Sequence, residues 1–259
     1  EKINESWYYF DASGVMQANK WIGSYWLDSS GAWVNTKVTQ PTQTQGWNHS
    51  GQGWWYANND SGCAIGWKQI GGSWYHFDGA GWMTTGWQKV GSSWYYLDAS
   101  GAMRTGWQKI DNVWYYMDSS GVMQTGWIKD KGKWYYLKAS GAMATGWQKV
   151  GGTWYYFNKF GEGTEGAMHT GWVKVKDVWY YLDESGAMAT EWRHVDGRWY
   201  LLGKDGAMKT GWQKNRELWY YLDSSGAMRT GWVNDKGSWY YLSDDGSMRA
   251  ERTFDVVEI

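Results

Sequence analysis

A single cysteine, Cys63, leaves no partner for a disulfide within the chain, so stability in any compartment has to come from packing. A small buried role is expected for it. Proline is almost absent, Pro41 being the only one, while glycine is plentiful, which is the profile of a repeat protein rather than of an ordinary globular domain. Leu, Ile, Val and Phe are scarce and the mean hydropathy is negative, so no single large aliphatic core can be drawn. No apolar run approaches the roughly 18 residues of a spanning helix, and the opening Glu1-Lys2-Ile3-Asn4-Glu5 carries no signal-peptide pattern. Neither sign of charge dominates, with 25 basic against 26 acidic residues. That balance supplies no electrostatic footprint for nucleic acid or an anionic membrane. The four histidines, His49, His76, His169 and His194, have no metal-ligand spacing, and no Gly-x-Ser-x-Gly elbow or phosphate loop occurs. These residues are therefore not expected to form an enzyme, and no cofactor or metal is called for.

What the chain has instead is 26 tryptophans and 20 tyrosines. Ten tryptophan pairs are separated by seven positions, from 47/54 through 67/74, 87/94, 107/114, 127/134, 147/154, 172/179, 192/199 and 212/219 to 232/239. The unit reads Gly-Trp-x-x-x-turn-turn-x-Trp-Tyr-Tyr-Leu-Asp-x-Ser-Gly-Ala-Met-x-Thr. A fixed period of about 20 residues predicts one supersecondary unit per repeat, stacked so that each completes its neighbour's core. Midway in each pair sit turn formers such as Gly71-Gly72, Gly91-Ser92, Asp111-Asn112, Gly151-Gly152 and Asp196-Gly197, which suit a two-residue hairpin loop. The predicted fold is an all-β solenoid of stacked hairpins. Asp98-Ala99-Ser100-Gly101 and its echoes at Asp118, Asp183 and Asp223 supply one carboxylate each, which suits a polar turn and not a calcium loop.

Side chains alternate along a strand, so counting outward from the two-residue turn assigns the faces. Val90 should oppose Ser93, Lys89 oppose Trp94, and Trp87 oppose Tyr96. Trp87, Trp94 and Tyr96 then share one face, while Tyr95, Leu97 and Val90 share the other, which looks like ordinary core. Indole offers the best π-face for a cation, so a Trp-Trp-Tyr wall with the methionine of Gly-Ala-Met suggests a cage for a quaternary ammonium group. Aromatic stacking that only holds hairpins together is the competing reading.

The stretch from Gly106 to Thr125, GWQKIDNVWYYMDSSGVMQT, resembles the choline-binding repeat of pneumococcal and related surface proteins, and the likeness extends over almost the whole chain. The resemblance implies a left-handed β-solenoid that holds choline or phosphocholine of wall teichoic and lipoteichoic acids between consecutive hairpins, at the bacterial surface. It also implies that each cage takes two tryptophans from one repeat and a tyrosine from the next, often with the linker methionine. Carried onto this sequence, that gives Trp67, Trp74, Met83 with Tyr96; Trp87, Trp94, Met103 with Tyr116; Trp107, Trp114, Met123 with Tyr136; and Trp127, Trp134, Met143 with Tyr156. Toward the other end it gives Trp192, Trp199, Met208 with Tyr221, and Trp212, Trp219, Met228 with Tyr241.

Four places depart from the pattern. Trp47/Trp54 would meet His76 as third wall, with Ala64 where methionine is expected. The five extra residues within 159–165 would displace Tyr181 from Trp147/Trp154. Trp172/Trp179 would meet Leu201, and Trp232/Trp239 has no following repeat. The expected organisation is irregular repeats over 1–33, a connector over 34–46, the regular array over 47–249, and a cap or linker over 250–259. Such modules are often joined to wall hydrolases or adhesins, through which a host or peptidoglycan partner would come. The alternative is a glucan-binding repeat whose aromatics stack on sugar faces.

Overall fold

A computed structural model describes residues 2–3, 6–18, 20–22, 25–27, 30–33, 45–58 and 62–248. Of the connector expected at 34–46, residues 34–44 lie outside the described residues, as does the whole tail expected at 250–259, and Gly46 already opens a strand. Among those described the fold is all-β, twelve antiparallel hairpins that each form a separate two-stranded sheet. Two short hairpins pair Lys2–Ile3 with Ser6–Trp7 and Lys20–Ile22 with Tyr25–Leu27, and ten five-residue pairs follow, from Gly46–Ser50 with Gly53–Ala57 to Gly231–Asp235 with Ser238–Leu242. Contacts divide the chain into two compact units, 1–126 with 137–142, and 127–136 with 143–259.

The register is the one that a two-residue turn dictates. Val90 pairs with Ser93, Lys89 with Trp94, Gln88 with Tyr95, Trp87 with Tyr96 and Gly86 with Leu97. Primed turns need a positive φ, and Asp111 and Asn112 adopt it at 48° and 62°. Arg216 and Glu217, less suited to it, do so at 47° and 68°.

A lone hairpin is marginal in water, so the stability resides between hairpins. Inside each unit the linker after one hairpin reaches back to the hairpin before it. The linker following Leu97 closes on itself through Asp98 N–H to the Ala102 carbonyl (3.0 Å) and Gly101 N–H to the Asp98 carbonyl (2.8 Å), and Met103 N–H then donates to the carbonyl of Trp74 at 2.8 Å. Burial raises the Asp98 carboxyl, but bonds from Ser100 Oγ, Ser100 N–H and Ala102 N–H, with Arg104 alongside, outweigh it and hold it below the usual carboxylate range. The core is one residue deep: Leu97, Met117, Leu182 and Leu222 end their strands with no exposed surface. Gly101 is required where it stands, because a Cβ there would lie 2.2 Å from Met83 Sδ and its φ is +82°. Cys63 is half-buried and pairs with Ala57 as Met83 does with Phe77, so it, and not Ala64, holds the methionine position of its repeat.

Candidate aromatic binding sites

Two hairpins, and the linker that follows the second, build each site. In the set at Trp87 and Trp94 the indoles stand edge to face, centroids 6.3 Å apart and planes at 88°. Tyr115 of the next hairpin closes on Trp87 at 4.8 Å, and Met123 beyond it donates its N–H to the Trp94 carbonyl at 2.8 Å. Tyr115 belongs here because it pairs with Gln108 while Trp107 pairs with Tyr116, so it projects from the opposite face to the tryptophans of its own hairpin. Hairpins stacked in one direction set the tryptophan face of one against the reverse face of the next.

The tyrosine contact and the methionine back-bond recur within each unit. In the first it joins Trp47/Trp54 to Tyr75 and Met83, and Trp67/Trp74 to Tyr95 and Met103, both tyrosines at 4.8 Å from the first tryptophan. In the second it joins Trp127/Trp134 to Tyr155 and Met168, Trp147/Trp154 to Tyr180 and Met188, and Trp172/Trp179 to Tyr200 and Met208. Trp192/Trp199 with Tyr220 and Met228, and Trp212/Trp219 with Tyr240 and Met248, complete that unit. The second tryptophan of these eight sets keeps 40–47% of its surface exposed, so the indoles are not consumed by packing. Trp192, Trp199, Tyr220 and Met228 line a cavity of about 360 Å³, with Asp244 and Asp245 also on its wall.

Several sequence-based assignments move by one tyrosine and one methionine. Tyr96, Tyr116, Tyr136, Tyr156, Tyr221 and Tyr241 lie against the first tryptophan of their own hairpin, Trp87, Trp107, Trp127, Trp147, Trp212 and Trp232, at 5.1–5.3 Å. They share its face and so point away from the preceding repeat. Met83, Met103, Met123, Met208 and Met228 bond back to Trp54, Trp74, Trp94, Trp179 and Trp199, one hairpin earlier than assigned, and Met143 lies against Gly166. Trp107 and Trp114 face each other at 6.4 Å. The first tyrosines, placed in the core by the sequence, are the ones that lie against the first tryptophan of the preceding repeat; the signal was available in the alternation of faces, once stacking is taken front to back.

This shift also removes three expected defects. His76 does not wall the Trp47/Trp54 set; it packs on Trp67 at 5.0 Å, where burial lowers its imidazole below the ordinary value and Asp78 opposes that. Leu201 pairs with Trp192 across its own hairpin, leaving Tyr200 on Trp172. The insertion leaves Tyr180 at 4.9 Å from Trp147. Instead it covers Tyr156, whose hydroxyl donates to Glu162 Oε2 at 2.9 Å; burial first, then this bond, push the phenol up to about 12. Trp232 and Trp239 are 65% and 66% exposed.

Cations already sit near these rings. Lys89, Lys129 and Lys149 place Nζ 5.6–5.9 Å from the centroids of Trp94, Trp134 and Trp154. Indole and phenol faces arranged in this way can hold a soft cation against their π-systems.

Models of the choline-binding repeat match residues 64–105, 104–145, 144–191, 189–228 and 209–254, and another matches 3–33. Among solved structures, CbpJ from Streptococcus pneumoniae TIGR4 is 32% identical over 96% of this chain and 99% of its own, with a TM-score of 0.69. Choline binding protein F from Streptococcus pneumoniae is 30% identical over 83% of this chain and 96% of its own, TM-score 0.53; its structure in the presence of a peptidoglycan analogue, a tetrasaccharide-pentapeptide, is 31% identical over the same shares, TM-score 0.53. Among curated proteins none matches. The chain belongs to the choline-binding repeat family.

Proposed function

We propose that this chain is a non-catalytic wall-binding module that cages the choline of teichoic and lipoteichoic acids and so holds its protein at the outer surface of a bacterium. The observation that carries this reading is the eightfold recurrence of two tryptophans, a tyrosine and a methionine in which the second indole stays partly bare. A trimethylammonium group is large, weakly hydrated and cationic, and each indole face contributes about 0.5–2 kcal/mol toward holding it. One site on that scale binds at about millimolar Kd. Several sites on one polymer raise retention by roughly 10²–10⁴ through effective concentration, which gives repetition its purpose. The likeness to CbpJ and choline binding protein F supports the ligand class. Joined to a hydrolase or an adhesin, the module would keep that activity at the wall.

Choline is expected to change the tryptophan fluorescence saturably and to release the protein from choline-bearing walls. A flat titration into the tens of millimolar, or release by dextran and not by choline, would sink this reading.

A further inference from the structure

The sets share a skeleton but not a rim. At Trp192/Trp199 the cavity wall includes Asp244 and Asp245, both in the linker after the last described hairpin. One repeat earlier, the same two linker positions hold Ser224 and Ser225; at the corresponding place for Trp87/Trp94 they hold Ala139 and Ser140. The flanking strand differs too. Opposite Trp94 stands Lys89, with Nζ 5.9 Å from the ring, whereas opposite Trp199 stands His194, ring to ring at 5.0 Å. The first site thus has a lysine beside the indole and no acid at those two linker positions, whereas the second has two carboxylates on its wall, with Arg193 bonded to the Trp192 carbonyl on its own hairpin.

We infer that Asp244 and Asp245 are specificity-determining residues that make the Trp192/Trp199 site take a quaternary ammonium without a neighbouring phosphate in preference to phosphocholine, while the Trp87/Trp94 site accepts both. This rests on the cation-cage reading given above. Both ligands present the same trimethylammonium to the aromatic walls. In phosphocholine a phosphate follows two carbons later, at the mouth of the site, where Lys89 attracts it and two carboxylates repel it. Partly solvated charges at that range change affinity by about threefold each, and salt screens them. Asp245 Oδ1 also accepts the Ser247 N–H and Oγ–H, at 2.9 and 2.7 Å, which fixes that carboxylate in the linker turn.

The test is crystallographic, because it separates sites that solution titrations average. Crystals of the full chain are soaked at matched concentrations of choline or phosphocholine, and ligand occupancy is refined at both sites. Choline should fill both, whereas phosphocholine occupancy at Trp192/Trp199 should correspond to about ten- to thirtyfold weaker binding than at Trp87/Trp94. The paired substitutions Asp244→Asn and Asp245→Asn keep an oxygen acceptor for Ser247 and should shrink the difference about tenfold, to the part that Lys89 contributes; Asp244→Asn alone, outside the turn bonds, should shrink it about threefold if the pair misfolds. Equal phosphocholine occupancy in the natural chain, or a difference untouched by these substitutions, overturns the inference while leaving the cage reading intact. Choline absent from both sites overturns both.

Discussion

The linker at 98–103 and the linker at 158–168 do the same work with different lengths. In the short one, Asp98 N–H bonds the Ala102 carbonyl and Gly101 N–H bonds the Asp98 carbonyl; in the long one, Asn158 N–H bonds the Ala167 carbonyl at 2.9 Å and Gly166 N–H bonds the Asn158 carbonyl at 2.8 Å. The methionine that follows makes the same back-bond in each, Met103 to Trp74 and Met168 to Trp134, both at 2.8 Å. The glycine carries the same methionine, Met83 on Gly101 and Met143 on Gly166, each with Sδ 2.2 Å from where a Cβ would sit. The extra residues form an excursion between two fixed points. Stacking is therefore set by a few anchors per repeat and not by repeat length, which agrees with the weak dependence of loop-closure cost on length.

The largest test is on the anchor itself. Gly101→Ala and Gly166→Ala should each destabilise the protein by about 2–4 kcal/mol, the sum of overpacking against methionine and a left-handed backbone, read by denaturant unfolding. A much smaller loss at Gly166 would break the equivalence of the two linkers. Next come the tyrosines that precede them. Tyr155→Ala should remove one bound choline in calorimetric titration, as Tyr95→Ala should in the shorter repeat, whereas Tyr156→Phe should keep every ligand and cost about 1 kcal/mol of stability through the lost bond to Glu162. Loss of a ligand from Tyr156→Phe instead would return the site to the second tyrosine.

Titration separates the linkers further. The Tyr156 phenol, held near 12, stays protonated in the folded chain while an unfolded tyrosine ionises near 10, so its contribution is intact below pH 10 and is lost as pH rises toward 12. Glu162→Gln should bring that ionisation down, followed by ultraviolet difference absorbance. At the acid end the short linker is the sensitive one. The depressed Asp98 carboxyl contributes stability above about pH 4 that is lost as pH falls through its folded value, while Asn158 cannot titrate. Amide exchange at Ser100 and Ala102 should therefore rise in acid relative to that at Gly166 and Ala167. The smallest effect concerns the strand start, where Glu191 alone among the ten regular hairpins replaces glycine, at φ 61°. Glu191→Gly should stabilise by about 1 kcal/mol in thermal unfolding.

Much of this was legible in advance because it is local. The pairing of Trp87 with Tyr96 follows from a two-residue turn, and the two-faced hairpin follows from alternation. The walls of the sites were not, because they depend on which face of one hairpin meets which face of the next. Tyr115 and Tyr116 are adjacent and chemically identical, and only stacking sends one to Trp87 and the other to Trp107. The same ambiguity produced the supposed defects at His76, Leu201 and the insertion.

By itself, then, the sequence determined the hairpin, its register and the repeat, since turn geometry and side-chain alternation act over a few residues. The membership of each site was decided only by tertiary structure. A back-bond such as Met103 N–H to the Trp74 carbonyl spans two hairpins, and no periodicity along the chain says which neighbour a linker will reach.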